Sequence, residues 1–255
     1  MSATPVFELR HAGVRYGQVH ALRDVSLAVR RGERVAVIGP SGAGKSTIIG
    51  LLNGTLVPTD GSVRVLGHDV AAASSRDLRD VQRRIGTIHQ QFDLVEQLRV
   101  VNNVNAGRLG TWPFWKALLS LAFPRNVAQV RRALVRVGIE DKLRERTGDL
   151  SGGEQQRVAI ARVLVQGPAA ILADEPIASL DPARGREILN LLHDICAETG
   201  TTLLASLHNV TMALDRFERV VGLRHGRVVF DAEPSQMTTD DIEALYALGF
   251  ERGQD

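Results

Sequence analysis

Apolar residues along this chain fall into two rhythms that take turns. Near the N-terminus they recur in short β-rich runs, at 6–9, 25–29 and 34–38, separated by turn residues such as Arg31-Gly32-Glu33. A three-to-four spacing starts at Lys45, with Ile48, Ile49, Leu51 and Leu52 apolar, which predicts a helix. Pro58-Thr-Asp-Gly61 reads as a turn and 62–66 as the next strand. From about 95 to 165 the pattern is mostly helical, with periodic stretches at 127–137 and 154–166. Beyond Ala169, strand-like runs at 169–173, 201–206, 219–223 and 227–230 alternate with helical ones near 183–198 and 210–216. That alternation predicts a mostly parallel sheet covered by helices, with the helical stretch set into it as a second lobe. The small-residue run Ala71-Ala-Ala-Ser-Ser75 reads as a linker.

Composition narrows the picture. A chain of 255 residues, 44% hydrophobic and 24% charged, has room for one large domain or a core domain carrying a smaller lobe. Its net charge of +2, from 31 basic and 29 acidic residues, argues against a nucleic-acid binder. Arginines occur as pairs at 30–31, 83–84 and 131–132, not as a patch. The single cysteine, Cys196, shares a helical spacing with Ile188, Leu191, Leu192 and Ile195, so it is expected in the core, in a reducing compartment. The apolar run at 112–123 contains Pro113 and Lys116 and falls short of the ~20 residues of a membrane span. No signal peptide is read at the N-terminus. The chain is therefore expected to be soluble by itself, with binding to a membrane protein left open.

Three motifs carry chemistry. Gly39, Pro40, Ser41, Gly42, Ala43, Gly44, Lys45, Ser46 and Thr47 fit G-x-x-x-x-G-K-[ST] between a predicted strand and a predicted helix. Glycines let several backbone N–H groups converge on one phosphate, and the following helix adds its positive end. Lys45 is expected to reach the β- and γ-phosphates, and Ser46 to offer a hydroxyl to Mg²⁺. The second motif, Ile171-Leu-Ala-Asp-Glu-Pro176, ends an apolar strand in two acids. Asp174 suits a water-mediated Mg²⁺ contact, and Glu175 the polarising of a water that attacks the γ-phosphate. In the third, Leu150-Ser-Gly-Gly-Glu-Gln-Gln-Arg157, Ser151 and Glu154 have capping-box spacing. Ser151, Gly152 and Gly153 at a helix start also form a second anion cradle. A GTPase is disfavoured, since no Asn-Lys-x-Asp guanine motif occurs.

With these three motifs in this order the chain resembles the ATP-binding cassette (ABC) ATPases over nearly its whole length. The resemblance implies a P-loop NTPase (RecA-like) α/β core, an N-terminal antiparallel β subdomain and an inserted α-helical subdomain. It implies one domain, with the catalytic core at 1–94 and 166–240, the helical signature subdomain at 95–165 and a tail at 241–255. Tyr16 matches the aromatic that stacks on adenine. Gln90 matches the Q-loop glutamine that contacts Mg²⁺ and water and senses the membrane partner; Gln91 is its adjacent rival, and the spacing to Phe92 favours Gln90. Ala178-Ser-Leu-Asp181 matches the D-loop, which adds Asp181 to the nucleotide-binding set, and His208 matches the switch histidine that contacts the γ-phosphate. ATP and Mg²⁺ are the implied cofactors.

Finer features resemble the ATPase subunits of phosphonate importers: Val101-Asn-Asn-Val-Asn-Ala-Gly-Arg-Leu-Gly110, the aromatic insert at Trp112 and Trp115, Glu175-Pro-Ile-Ala-Ser-Leu-Asp-Pro182, Leu207-His-Asn-Val and the segment 221–231. Two readings of the insert stand: packing within the helical lobe, or contact with a transmembrane partner. The implied partners are a second copy of the chain, bound through ATP, integral membrane permease subunits and, indirectly, a substrate-binding protein. The implied location is peripheral, on the cytoplasmic face of the inner membrane. The alternatives are an exporter or lipid-transport cassette and, from another class, a soluble remodelling ATPase.

Overall fold

The computed structural model describes residues 4–112, 126–178 and 180–246. The insert beyond Trp112 and the D-loop's Ser179 therefore lie outside the described residues. Strands β1 (Phe7–Tyr16) and β2 (Val19–Val29) form a hairpin; β4 (Asp60–Val65) joins the other side of β1, and the two-residue β5 (His68–Asp69) ends this antiparallel sheet. The second sheet contains β3 (Arg34–Ile38), β6 (Ile85–Ile88), β7 (Ala170–Asp174), β8 (Thr202–Leu207), β9 (Arg219–Arg224) and β10 (Arg227–Ala232). Its order is β10-β9-β3-β8-β7-β6, parallel throughout except for the β9–β10 hairpin.

All six residues of β8 and four of the five in β3 are buried, which is why these strands read as nearly unbroken apolar runs. Strand alternation still sorts their side chains. Ala36, Ile38, Ile171, Ala173, Leu203, Ala205 and Leu207 face one cluster, which they share with α5 (Gly152–Gln166) and α6 (Pro182–Thr199). Val35, Val37, Ala170, Leu172 and Leu204 face the other, with α1 (Lys45–Leu52) and the antiparallel sheet. The helical lobe packs α3 (Val100–Asn105), α4 (Val127–Arg136) and α5 together through Val100, Val104, Val130, Leu134 and Val158, all fully buried.

The structure differs from the sequence reading in several places. The predicted linker runs into α2 (Ser75–Arg84), whose N-cap Ser74 accepts a hydrogen bond from the Asp77 N–H. Only Val81 of α2 is buried, so the helix leaves no apolar stripe in the sequence. The four-residue β6 was too short to register. β1 and β2 are twice the predicted length because they pair through bulges, with His11 at φ 49°, and these break the polar–apolar alternation. Residues 241–246, assigned to a tail, complete α8 (Thr239–Tyr246), whose Leu245 is fully buried. Among the described residues no helix is long and apolar enough to cross a membrane.

Candidate active site

The loop from β3 to α1 is shaped by contacts that only glycine permits. A Cβ on Gly39 would lie 2.0 Å from the Leu223 carbonyl oxygen, and one on Gly44, at φ 106°, would lie 2.6 Å from that of Ala21. The β9–β10 turn supports the loop from behind, through a hydrogen bond from Gly226 N–H to the Ala43 carbonyl at 3.0 Å. Gly44 caps α1 without a side chain, which leaves the first-turn N–H groups for an anion. Lys45 is 4% exposed and curls back over the loop, donating to the carbonyls of Gly39 (2.8 Å) and Pro40 (3.1 Å). Burial lowers its pKa, and the charges of Glu175 and Asp174 oppose that shift.

The two acids sit at the end of β7. In a regular strand, neighbouring side chains point to opposite faces. Glu175 breaks the alternation by adopting φ 48°, a left-handed conformation that costs a non-glycine residue about 1–2 kcal/mol. Glu175 thereby lines the cleft of the phosphate loop, and Asp174 meets that loop through Ser46. Ser46 Oγ donates to Asp174 Oδ1 at 3.2 Å. Glu175 Oε1 lies 2.5 Å from His208 Nε2 and 3.8 Å from Lys45 Nζ. Asn209 follows His208 and caps α7 (Val210–Arg216), its Oδ1 accepting from the Met212 N–H at 3.0 Å.

Sequence reasoning overlooked two residues that hold this arrangement. Ser206 is fully buried opposite Asp174 in the β7–β8 register. Its hydroxyl donates to Asp174 Oδ1 at 2.7 Å and accepts from the Glu175 N–H at 2.9 Å. The available signal was a serine near the end of a buried apolar strand. Arg162, on α5, donates to the carbonyls of Phe92 (3.0 Å) and Asp93 (2.5 Å), which follow each other at φ 55° and 48°. It thus fixes the backbone of the Gln90 loop, and its burial lowers its pKa.

Ser41, Gly42, Gly44, Lys45, Ser46, Thr47, Gln90, Ala178, Glu175 and His208 line one cleft of about 680 Å³, closed on another side by Val19, His20 and Ala21. Tyr16 is not among the lining residues; it pairs across the hairpin with Val19, which is, and its side chain is half exposed. Asp181 lies in a small adjoining cavity with Glu175 and His208. It caps α6 by accepting the N–H groups of Ala183 and Arg184, both at 3.1 Å, and these bonds hold its carboxyl below the usual range.

Ser151, Gly152 and Gly153 are not brought to this cleft. They open α5 as a full capping box: Ser151 Oγ accepts from the Glu154 N–H, and Glu154 Oε2 accepts from the Ser151 N–H at 2.8 Å. Their surroundings are a separate surface hollow bordered by Arg157, Arg184 and Glu187.

A glycine-rich loop between a parallel strand and a helix, facing two acids at the end of a parallel strand two places away in the same sheet, defines a P-loop nucleotide-binding protein. The ABC transporter family model matches residues 22–178, and the chain belongs to that family. It is 51% identical over 95% of its length to the phosphonates import ATP-binding protein PhnC of Anaeromyxobacter dehalogenans, and it spans 48% of that relative. It is 44% identical over 96% of its length to the PhnC of Pseudomonas putida, 91% of which it covers. A solved structure of the ATP-binding cassette MJ0796, a dimer in a post-hydrolysis state with ADP and Pi, superimposes with a TM-score of 0.73 at 29% identity, covering 89% of this chain and 98% of that one.

Proposed function

We propose that the chain binds and hydrolyses ATP as the energising subunit of an importer for phosphonates or a related phosphorus oxyanion. The observation that carries the catalytic part is the convergence of Lys45, Ser46, Glu175 and His208 in one cleft, with Asp174 bonded to Ser46 at its edge. The cargo rests on the relatives named as phosphonate import proteins.

The loop N–H groups and Lys45 bind the phosphates, and the half-exposed Tyr16 ring offers a stacking face for the base. The Ser46 hydroxyl and Asp174 carboxylate, 3.2 Å apart, are hard oxygen donors of the kind Mg²⁺ takes, and with Gln90 they would hold the ion. When bound, Mg²⁺ neutralises phosphate charge. Glu175 Oε1 accepts the proton of the attacking water. His208 orients that carboxylate and faces the γ-phosphate. Lys45 Nζ, 3.8 Å from Glu175 Oε1, places its ammonium beside that carboxylate.

The surface hollow at Ser151, Gly152 and Gly153 serves a second copy of the chain, closing over the nucleotide held by the first, with Asp181 near the seam. Permease subunits receive the resulting motion, and the chain works as a peripheral protein on the cytoplasmic face of the inner membrane. An exporter cassette is the second reading. Reconstitution with the cognate membrane subunits and binding protein tests the cargo: phosphonate-loaded binding protein should raise ATPase activity. Stimulation by a polar amino acid alone would refute the cargo; stimulation by phosphate or phosphite but not phosphonate would correct it within the oxyanions.

A further inference from the structure

Asp174 and Glu175 are adjacent in sequence, and a single hydroxyl bonds to both, to the carboxylate of one and the backbone N–H of the other. We infer that Ser206 is a positioning residue for hydrolysis: its hydroxyl sets the Asp174 carboxylate toward Ser46 and holds the Glu175 backbone in the left-handed conformation that aims its side chain at His208. This rests on the hydrolytic reading above.

The geometry leaves the hydroxyl one arrangement. Its proton goes to Asp174 Oδ1 at 2.7 Å, so its oxygen is free to accept, and the Glu175 N–H takes that place at 2.9 Å. The same Asp174 oxygen also accepts from Ser46, so one carboxylate oxygen links the first turn of α1 to the end of β8. Full burial of Ser206 keeps water from substituting for either bond. The position is two residues before His208, so β8 delivers both the clamp and the histidine that meets Glu175 Oε1. Without the hydroxyl, the Glu175 N–H loses its acceptor and nothing on β8 opposes relaxation of φ 48° toward the extended region. The Glu175 carboxylate would then swing away from the attacking water's position, while the phosphate loop, which Ser206 does not touch, keeps its shape.

Ser206→Ala, Ser206→Val and Ser206→Thr separate the hydroxyl from the volume, since Thr and Val have nearly the same shape. Three quantities are read on the full chain: affinity for ATP at dilute protein, rate of ATP hydrolysis, and amide hydrogen exchange of the segment 171–176. Ala and Val should lower hydrolysis roughly 10- to 100-fold, the scale of an ångström-level misplacement, with the loss of affinity clearly the smaller of the two. The Glu175 amide should exchange faster in both, and Thr should restore rate and protection. Wild-type rates in Ala and Val, or a Thr variant as slow as Val, would overturn the assignment. Failure of both Ala and Val to fold would assign the hydroxyl to stability and overturn it as well. If the wild-type chain itself hydrolyses no ATP, the catalytic reading fails, and the exchange comparison still decides whether the hydroxyl holds Glu175.

Discussion

The phosphate-loop cleft and the Ser151–Gly153 turn are both glycine-bearing helix starts, but they differ in how complete they are. In the cleft, Lys45, Asp174, Glu175 and His208 are joined by hydrogen bonds and ion pairs to one another, to Ser46 and to Ser206. At the turn, Ser151 and Glu154 satisfy each other, and the space a Cβ would occupy at Gly152 is empty to 4 Å. A helix start this open, with Arg157 and Arg184 beside it, is suited to approach by something from outside the chain. On the proposed reading, the contrast is between a site that holds nucleotide and a separate face that would complete a site held by a second copy.

The largest expected effect lies in the cleft. Glu175→Gln should retain ATP binding and lower hydrolysis by about 10²–10⁴-fold, the usual worth of a general base; turnover assays beside a binding titration check this. Near wild-type turnover would remove Glu175 from the role. Next, Lys45→Ala should weaken ATP binding at dilute protein by roughly 10- to 100-fold, as befits a charged hydrogen bond of about 1.5–3 kcal/mol. Ser151→Ala should leave that same affinity unchanged while lowering turnover, by about tenfold on the scale of a lost hydrogen bond. Equal losses of affinity in Lys45→Ala and Ser151→Ala would erase the distinction between the two regions.

The smallest effect is a control on that comparison. Burial pushes the Cys196 thiol up to about 12, so a thiol reagent at pH 8 should react slowly with the native chain and with each variant. Rapid reaction in Ser151→Ala would mean that its lost turnover reports unfolding. Unfolded, the thiol ionises near its ordinary value of 9.0. Above that pH the unfolded chain loses the proton first, so this group's contribution to stability falls as pH rises from 9.0 toward about 12.

The parallel sheet could be read from sequence because β3, β7 and β8 are short apolar runs between turn residues, and both of their faces are buried. The phosphate loop was equally visible, since Gly39 and Gly44 answer to backbone contacts that tolerate nothing else. Elements whose stability comes from elsewhere escaped. α2 rests on a cap and one buried valine, and the outer halves of β1 and β2 on bulged pairing. Ser206 and Arg162 escaped for a related reason: each acts on backbone groups distant in sequence, Glu175 N–H and the carbonyls of Phe92 and Asp93, and no local pattern marks such a bond. The separation of Ser151 from Lys45 within one chain is a product of the fold and could be expected only from resemblance.

Whether the two faces meet across copies is decided most directly by the mass of Glu175→Gln in solution, measured by light scattering with and without ATP. Without nucleotide the chain should run at its own 27.7 kDa. With saturating ATP the mass should double, and adding Ser151→Arg to the same chain should abolish the doubling without releasing the nucleotide. A chain that stays at 27.7 kDa with ATP bound, or that doubles equally well with Ser151→Arg, would contradict the composite site.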